Sequence, residues 1–214
     1  MPKTLLSALA VAAFITSAGD AWAQQRSGLV GGVSLGGGVL GLHGTTDGDP
    51  AVALVRQEDD RVPVTGFDVH LGRMVSATTA VLFVMSADYD PGSESDLNVE
   101  VRVGGRQVTF NSSTTSLGSG VFAGVVQHWL TSNIWVRGGL GVGFLTRDFT
   151  LGTDASYLTI TLDRGFGPAI LAGAGVDVWR RTNFAADVEF HLTAVGLKGV
   201  GIYAPTVQVG FNWY

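Results

Sequence analysis

The chain has 214 residues, 46% hydrophobic and 14% charged, with a formal net charge of -5, 31 glycines and no cysteine. The absence of thiols excludes disulfides, a thiolate zinc site and a lipid-modified N-terminal cysteine. The acidic balance, with no basic stripe, argues against nucleic acid as a partner, because that binding rests largely on neutralising phosphates.

Residues 1–23 read as a secretory signal peptide. Lys3 precedes an apolar run from Leu5 to Ala18, and Ala21-Trp22-Ala23 has the small-x-small form of a cleavage site. The run is shorter than the ~20 residues a spanning helix needs, and no later stretch reaches that length. Residues 24–214 are therefore expected to be one exported domain that contains no transmembrane helix.

Along that domain the pattern is of strands and turns. Residues 27–43 are Gly-rich and extended, and 44–63 read as a long polar loop. Residues 64–74 alternate, a short turn lies near Ser76, and 79–89 form the next strand. Residues 90–118 are long and polar, with a hairpin signal at Gly104-Gly105. Its arms are about five residues each, too short to cross a bilayer, so 98–110 are expected to extend an external loop. Strands follow at 120–130 and 133–149 around a tight turn near Ser132. After a polar loop to Arg164 come 165–180, a tight turn near Thr182, 183–196, a short loop near Lys198 and 203–214. The count is about eight strands, with tight turns alternating with longer polar connections. That asymmetry belongs to membrane barrels, with short periplasmic turns and long external loops.

Alternation alone does not say which face is inside. Residues 183–196 put Phe184, Val188, Phe190 and Leu192 on one face, and Asp187, Glu189 and His191 on the other. A soluble barrel or sandwich would bury the first set; a membrane barrel would turn it to lipid. Small residues crowd the polar parity: Gly139, Gly141 and Gly143 share the parity of Arg137, and Gly173 and Gly175 that of Asp177. An eight-stranded barrel has just enough interior for side chains, so small residues there make room for a few large polar ones. Aromatic residues gather at strand ends, which suggests an interfacial girdle of Trp129, Trp135, Trp179 and Trp213.

The signal peptide, the Gly-rich first strand, the "WLTSNIWVRGGLGVGF" turn and strand, and the aromatic ending "VQVGFNWY" together resemble the small outer-membrane β-barrel proteins of Gram-negative bacteria. That eight-stranded porin-like group includes the OmpA transmembrane domain and OmpX. The resemblance covers nearly all of residues 27–214 and is one of pattern. It implies an all-β fold, an eight-stranded antiparallel up-and-down transmembrane β-barrel. It also implies location in the outer membrane and, as partners, membrane lipid, lipopolysaccharide and the barrel-assembly machinery, with a monomeric state. In that group the terminal aromatic shares the parity of the preceding apolar residues. Here Tyr214 is out of phase with Phe211 and Trp213.

Parity predicts a polar lumen built from Asp68, His70, Asp88, Arg137, Asp177, Asp187, Glu189 and His191, with Ser86, Arg147, Gln208 and Asn212. Acids outnumber bases, and charges in so narrow a space must pair or meet water. The expected role is a salt-bridged plug; the sharper one is a cation path lined by carboxylates. No catalytic set is expected. "HWLTSN" lacks a base, nucleophile and orienting acid in a usable arrangement, and lies at the periplasmic end. Three ligands on one strand splay apart, so Asp187, Glu189 and His191 are not expected to hold a metal, and no cofactor is expected. "GGGVLG" fits a glycine-rich phosphate motif only formally, because no helix follows it. Glu58, Asp59 and Asp60 make the first loop acidic, and divalent cations could bridge it to lipopolysaccharide phosphates. The expected function is structural, narrow-pore or surface contact. The alternatives are a lipid A-modifying enzyme and a soluble exported barrel for an apolar ligand.

Overall fold

The computed structural model describes residues 27–44, 61–103, 106–153 and 157–214. The signal-peptide reading and the acidic Glu58–Asp60 stretch fall outside the described residues. Eight strands run in chain order: β1 (Leu29–Gly44), β2 (Arg61–Ser76), β3 (Thr79–Val103), β4 (Arg106–Trp129), β5 (Ile134–Gly152), β6 (Tyr157–Arg180), β7 (Phe184–Leu197) and β8 (Val200–Trp213). Each pairs antiparallel with its sequence neighbours, and β8 closes on β1. Closure leaves no free sheet edge in the barrel section, as a structure surrounded by lipid requires.

The stagger of the barrel follows from the register. From Gly32 the directly opposed partners run His70, Val84, Ala123, Gly141, Ala169, Val195 and Ile202, and return to β1 at Leu42. The path has climbed ten positions, from 32 to 42, in one circuit. With ~4.8 Å between strands and ~3.3 Å per residue, this tilts the strands by about 40°. A barrel this narrow bends sharply, and Gly141 shows how: a β-carbon there would strike the Phe122 carbonyl and the Ala123 Cα of β4.

The outer face is apolar. Leu35, Leu71, Phe83, Leu140, Ile170 and Val209 are each more than half exposed. They sit where a water-soluble fold would place polar groups, and lipid is the solvent that suits them. Four aromatic rings lie over a glycine directly opposite on the next strand: Trp213 over Gly31, Tyr203 over Gly41, Phe144 over Gly120 and Trp135 over Gly175. Each ring fills the space a β-carbon would need and covers backbone that the glycine leaves bare.

The three tight turns near Ser76, Ser132 and Thr182 lie at one end of the barrel. There Arg180 donates to the Ser132 carbonyl and to Asp177 Oδ2, tying two of the turns together. At the other end the strands differ in length. β7 and β8 have 14 residues each, whereas β3, β4 and β6 have 24 or 25. The expected loops at 90–118 and 148–164 are largely strand. β3 and β4 stay paired out to Val103 and Arg106, β4 and β5 out to Ser112 and Gly152, and β5 and β6 out to Gly152 and Tyr157. β2 meets β3 only as far as Tyr89, and β7 meets β6 only as far as Ala169. Above the rim β3–β6 therefore form an open four-stranded lobe, of which the 98–110 hairpin is the tip. A positive-φ Gly92, whose N–H bonds Asp90 Oδ1 at 3.0 Å, marks the bulge where β3 leaves the barrel.

Candidate functional site: the barrel interior

Inward positions divide the lumen by strand. β7, β8, β1 and β2 contribute Asp187, Glu189, His191, Thr206, Gln208, Ser34, Asp68 and His70. β3, β4 and β6 contribute mostly Leu82, Val84, Val121, Ala123, Val125 and Leu171. Glycines 139, 141 and 143 of β5 let β4 and the Val125 and Val195 side chains approach closely, and Arg137 of the same strand reaches across the interior. Its Nη2 lies 3.1 Å from Glu189 Oε2 and 3.5 Å from Asp68 Oδ2, and its guanidinium sits 5.2 Å from the Trp135 ring centroid. One side chain thus crosses from β5 to carboxylates on β2 and β7. Guanidinium suits that task, because its planar fork of donors serves two carboxylates at once.

Two imidazoles flank the same carboxylate. His70 Nδ1 is 3.2 Å from Asp68 Oδ1, and His191 Nδ1 is 3.9 Å from Asp68 Oδ2. The rest of the predicted set stands apart from this centre. Asp187 accepts from Asn212 Nδ2 at 2.8 Å, Asp88 accepts from Thr193 Oγ1 at 3.2 Å, and Asp177 pairs with Arg180 at the periplasmic end. Among the described residues, five buried carboxylates face a single buried guanidinium.

Some of the interior escaped the sequence reading. Ser34 donates to Gln208 Oε1 at 2.6 Å, and Gln208 Nε2 donates to Thr206 Oγ1 at 3.0 Å. Ser34 carried a usable signal, as the polar side chain at an inward position of an otherwise glycine- and aliphatic-rich strand. Thr193, Thr206 and Gln127 share the inward parity of their strands and were equally findable.

The aromatic girdle requires correction. Trp129 and Trp135 point inward and are 2% and 1% exposed. Trp129 packs edge-on to Tyr214 at 5.6 Å between centroids, and Tyr214 itself packs against the interior apolar cluster. These rings floor the lumen beside the tight turns. Trp179 and Trp213 remain on the outer side. Trp179 shares sequence parity with inward Asp177, but an irregularity between them turns it out to 48% exposure, with Arg181 5.8 Å from its ring.

The opposite end of the lumen is also apolar. Leu40, Val64, Leu117, Leu145, Val195 and Ile202 stand at inward positions of six strands where the barrel section meets the external rim, all within one buried cluster. The charged groups therefore sit in a chamber between an apolar collar at the mouth and an aromatic floor.

The histidine of "HWLTSN" does not meet its serine. His128 Nδ1 bonds Thr79 Oγ1 at 3.0 Å, and Ser132 Oγ donates to Asn133 Oδ1 at 3.0 Å. Among the described residues no group of three His, Asp or Glu is placed to hold a metal ion.

A closed eight-stranded barrel with an apolar exterior and charged side chains within is the build of an outer-membrane barrel. No family profile matches the chain, and no curated protein matches it in sequence. Its similarity is to solved structures. Ail, the attachment invasion locus protein of Yersinia pestis, superposes with a TM-score of 0.54 at 13% identity, over 87% of this chain and 99% of that one. Ail in complex with the heparin analogue sucrose octasulfate gives 0.55 at 12% identity over the same shares. Neisserial surface protein A gives 0.47 at 10% identity, over 87% and 97%. At these identities the likeness is one of fold.

Proposed function

We propose that this chain is a closed, non-catalytic barrel of the Gram-negative outer membrane that carries the β3–β6 lobe as a contact surface on the cell exterior. The observation that carries this reading is the difference in strand length above the rim. Among the described residues four strands continue as a sheet beyond the rim, whereas the other four end near it. Barrel walls give stability, and projecting segments do the binding. The lobe has a polar row at Thr114, Thr150 and Thr159, with the last two hydroxyl oxygens 3.1 Å apart. Such a surface suits water and a polar partner. Ail, named for attachment and solved with a heparin analogue, has the same fold.

Lipid and lipopolysaccharide surround the barrel in this reading, the barrel-assembly machinery inserts it, and it works as a monomer. Its test compares attachment to host-type cell surfaces by bacteria displaying the full chain and a variant in which residues 93–115 are replaced by a short turn. Loss of attachment with equal surface display is expected. Equal attachment by both would leave the lobe without this role, and steady ion conductance by the native barrel in a planar bilayer would favour the narrow pore instead.

A further inference from the structure

The interior raises a separate question of what keeps ions and water away from four buried carboxylates and a guanidinium. We propose that the seal on the external side is the apolar collar, and not the Arg137-centred cluster. The inference rests on the closed-barrel part of the reading above, and is independent of what the lobe contacts.

Three observations converge on it. The collar residues come from β1, β2, β4, β5, β7 and β8 and form most of the ring at the mouth, with Asp90 of β3 directly opposite Leu117. Their exposure runs from 0% at Leu40 to 7% at Leu117, so they pack against one another and leave little access. The charged cluster below spans the lumen, from β5 to carboxylates on β2 and β7. Arg137 is held there against Asp68, Glu189 and Trp135. Charged groups in a passage attract water and counter-ions, whereas a tight apolar ring excludes them by dewetting. The collar is therefore the element whose polarity governs entry. The Trp129–Trp135–Tyr214 floor performs the same service at the periplasmic end.

The natural chain has no cysteine, so a single introduced thiol reports without background. Ser34→Cys places it inside the barrel on β1, and Ser86→Cys two strands away on β3; both native serines are buried. Each is labelled in the folded, detergent-solubilised barrel with a small cationic methanethiosulfonate reagent, and Lys198→Cys at the exposed β7–β8 turn serves as the positive control. The thiols are expected to stay unlabelled with the collar intact, and to stay so when Arg137→Gln is added. Making the collar polar with Leu40→Asn, or with the near-isosteric Val195→Thr if the first misfolds, is expected to raise the labelling rate by about an order of magnitude or more. Prompt labelling beneath an intact collar, opening by Arg137→Gln alone, or no response to either collar variant would overturn the assignment. None of those results bears on attachment by the lobe, so the two readings fail separately.

Discussion

Arg137 holds together two buried carboxylates that would otherwise lose their guanidinium partner. Its side chain is fully buried, as is that of Asp68, and Glu189 is nearly so. Removing one partner of a buried ion pair leaves a charge without compensation, which costs about 3–5 kcal/mol. Arg137→Leu is therefore expected to lower stability by that order in denaturant titrations of the detergent-folded barrel. Arg137→Leu combined with Asp68→Asn and Glu189→Gln should recover much of the loss, because the stranded charges go with it. An unchanged midpoint in the single variant would mean that water already solvates those carboxylates. This cluster was legible at the level of membership, because a period of two assigns each side chain to a face. Who meets whom was not legible, because Asp68, Arg137 and Glu189 sit on β2, β5 and β7, whose contacts run across the lumen.

At the scale of the strand, two glycines on β4 make a controlled comparison. Both face outward, four residues apart. A β-carbon at Gly120 would run into the Phe144 ring, whereas one at Gly124 meets nothing within 4 Å. Gly120→Ala is expected to destabilise by about 1–3 kcal/mol, the usual cost of overpacking. Gly124→Ala should be neutral or slightly stabilising, through a less flexible unfolded chain. Equal effects at the two sites in the same unfolding assay would rule out the ring-over-glycine contact as the cause.

Strand positions in the barrel section were legible because lipid on one side and a polar lumen on the other imprint alternation, as in Phe67–Asp68 and Phe190–His191. Strand length was not. Above the rim water bathes both faces, the alternation has nothing to enforce it, and Ser112–Thr115 reads as loop although it is paired on both sides. The misplaced tryptophans have the same kind of origin. Closeness to a turn suggested a girdle, yet Trp135 keeps the parity of Arg137 and points in, while an irregularity in β6 flips Trp179 out.

For the molecule as a whole, what matters is which solvent the fold is built for. Leu140 is 72% exposed, about midway along the outer face of β5. In water Leu140→Arg would cost almost nothing. In a bilayer a lipid-facing arginine near the midplane costs about 2–4 kcal/mol. The variant should fold less completely into lipid vesicles, by a margin that shrinks when the same change is made at Leu29, beside the periplasmic rim. A uniform small effect at both depths would contradict a membrane-spanning wall and favour the soluble barrel.

The first and last strands meet along the seam that must close for the barrel to exist. Two of the four ring-over-glycine contacts lie on that seam, Trp213 on Gly31 and Tyr203 on Gly41. They are ten residues apart on both strands. A ring seats only opposite a position without a side chain, so a slip of two residues would bring Trp213 against Val33 or Leu29 and unseat both contacts together. The seam thus works like a lock with two pins set a fixed distance apart. Only one register seats both rings, so the shape of the seam itself distinguishes correct closure from a slipped one.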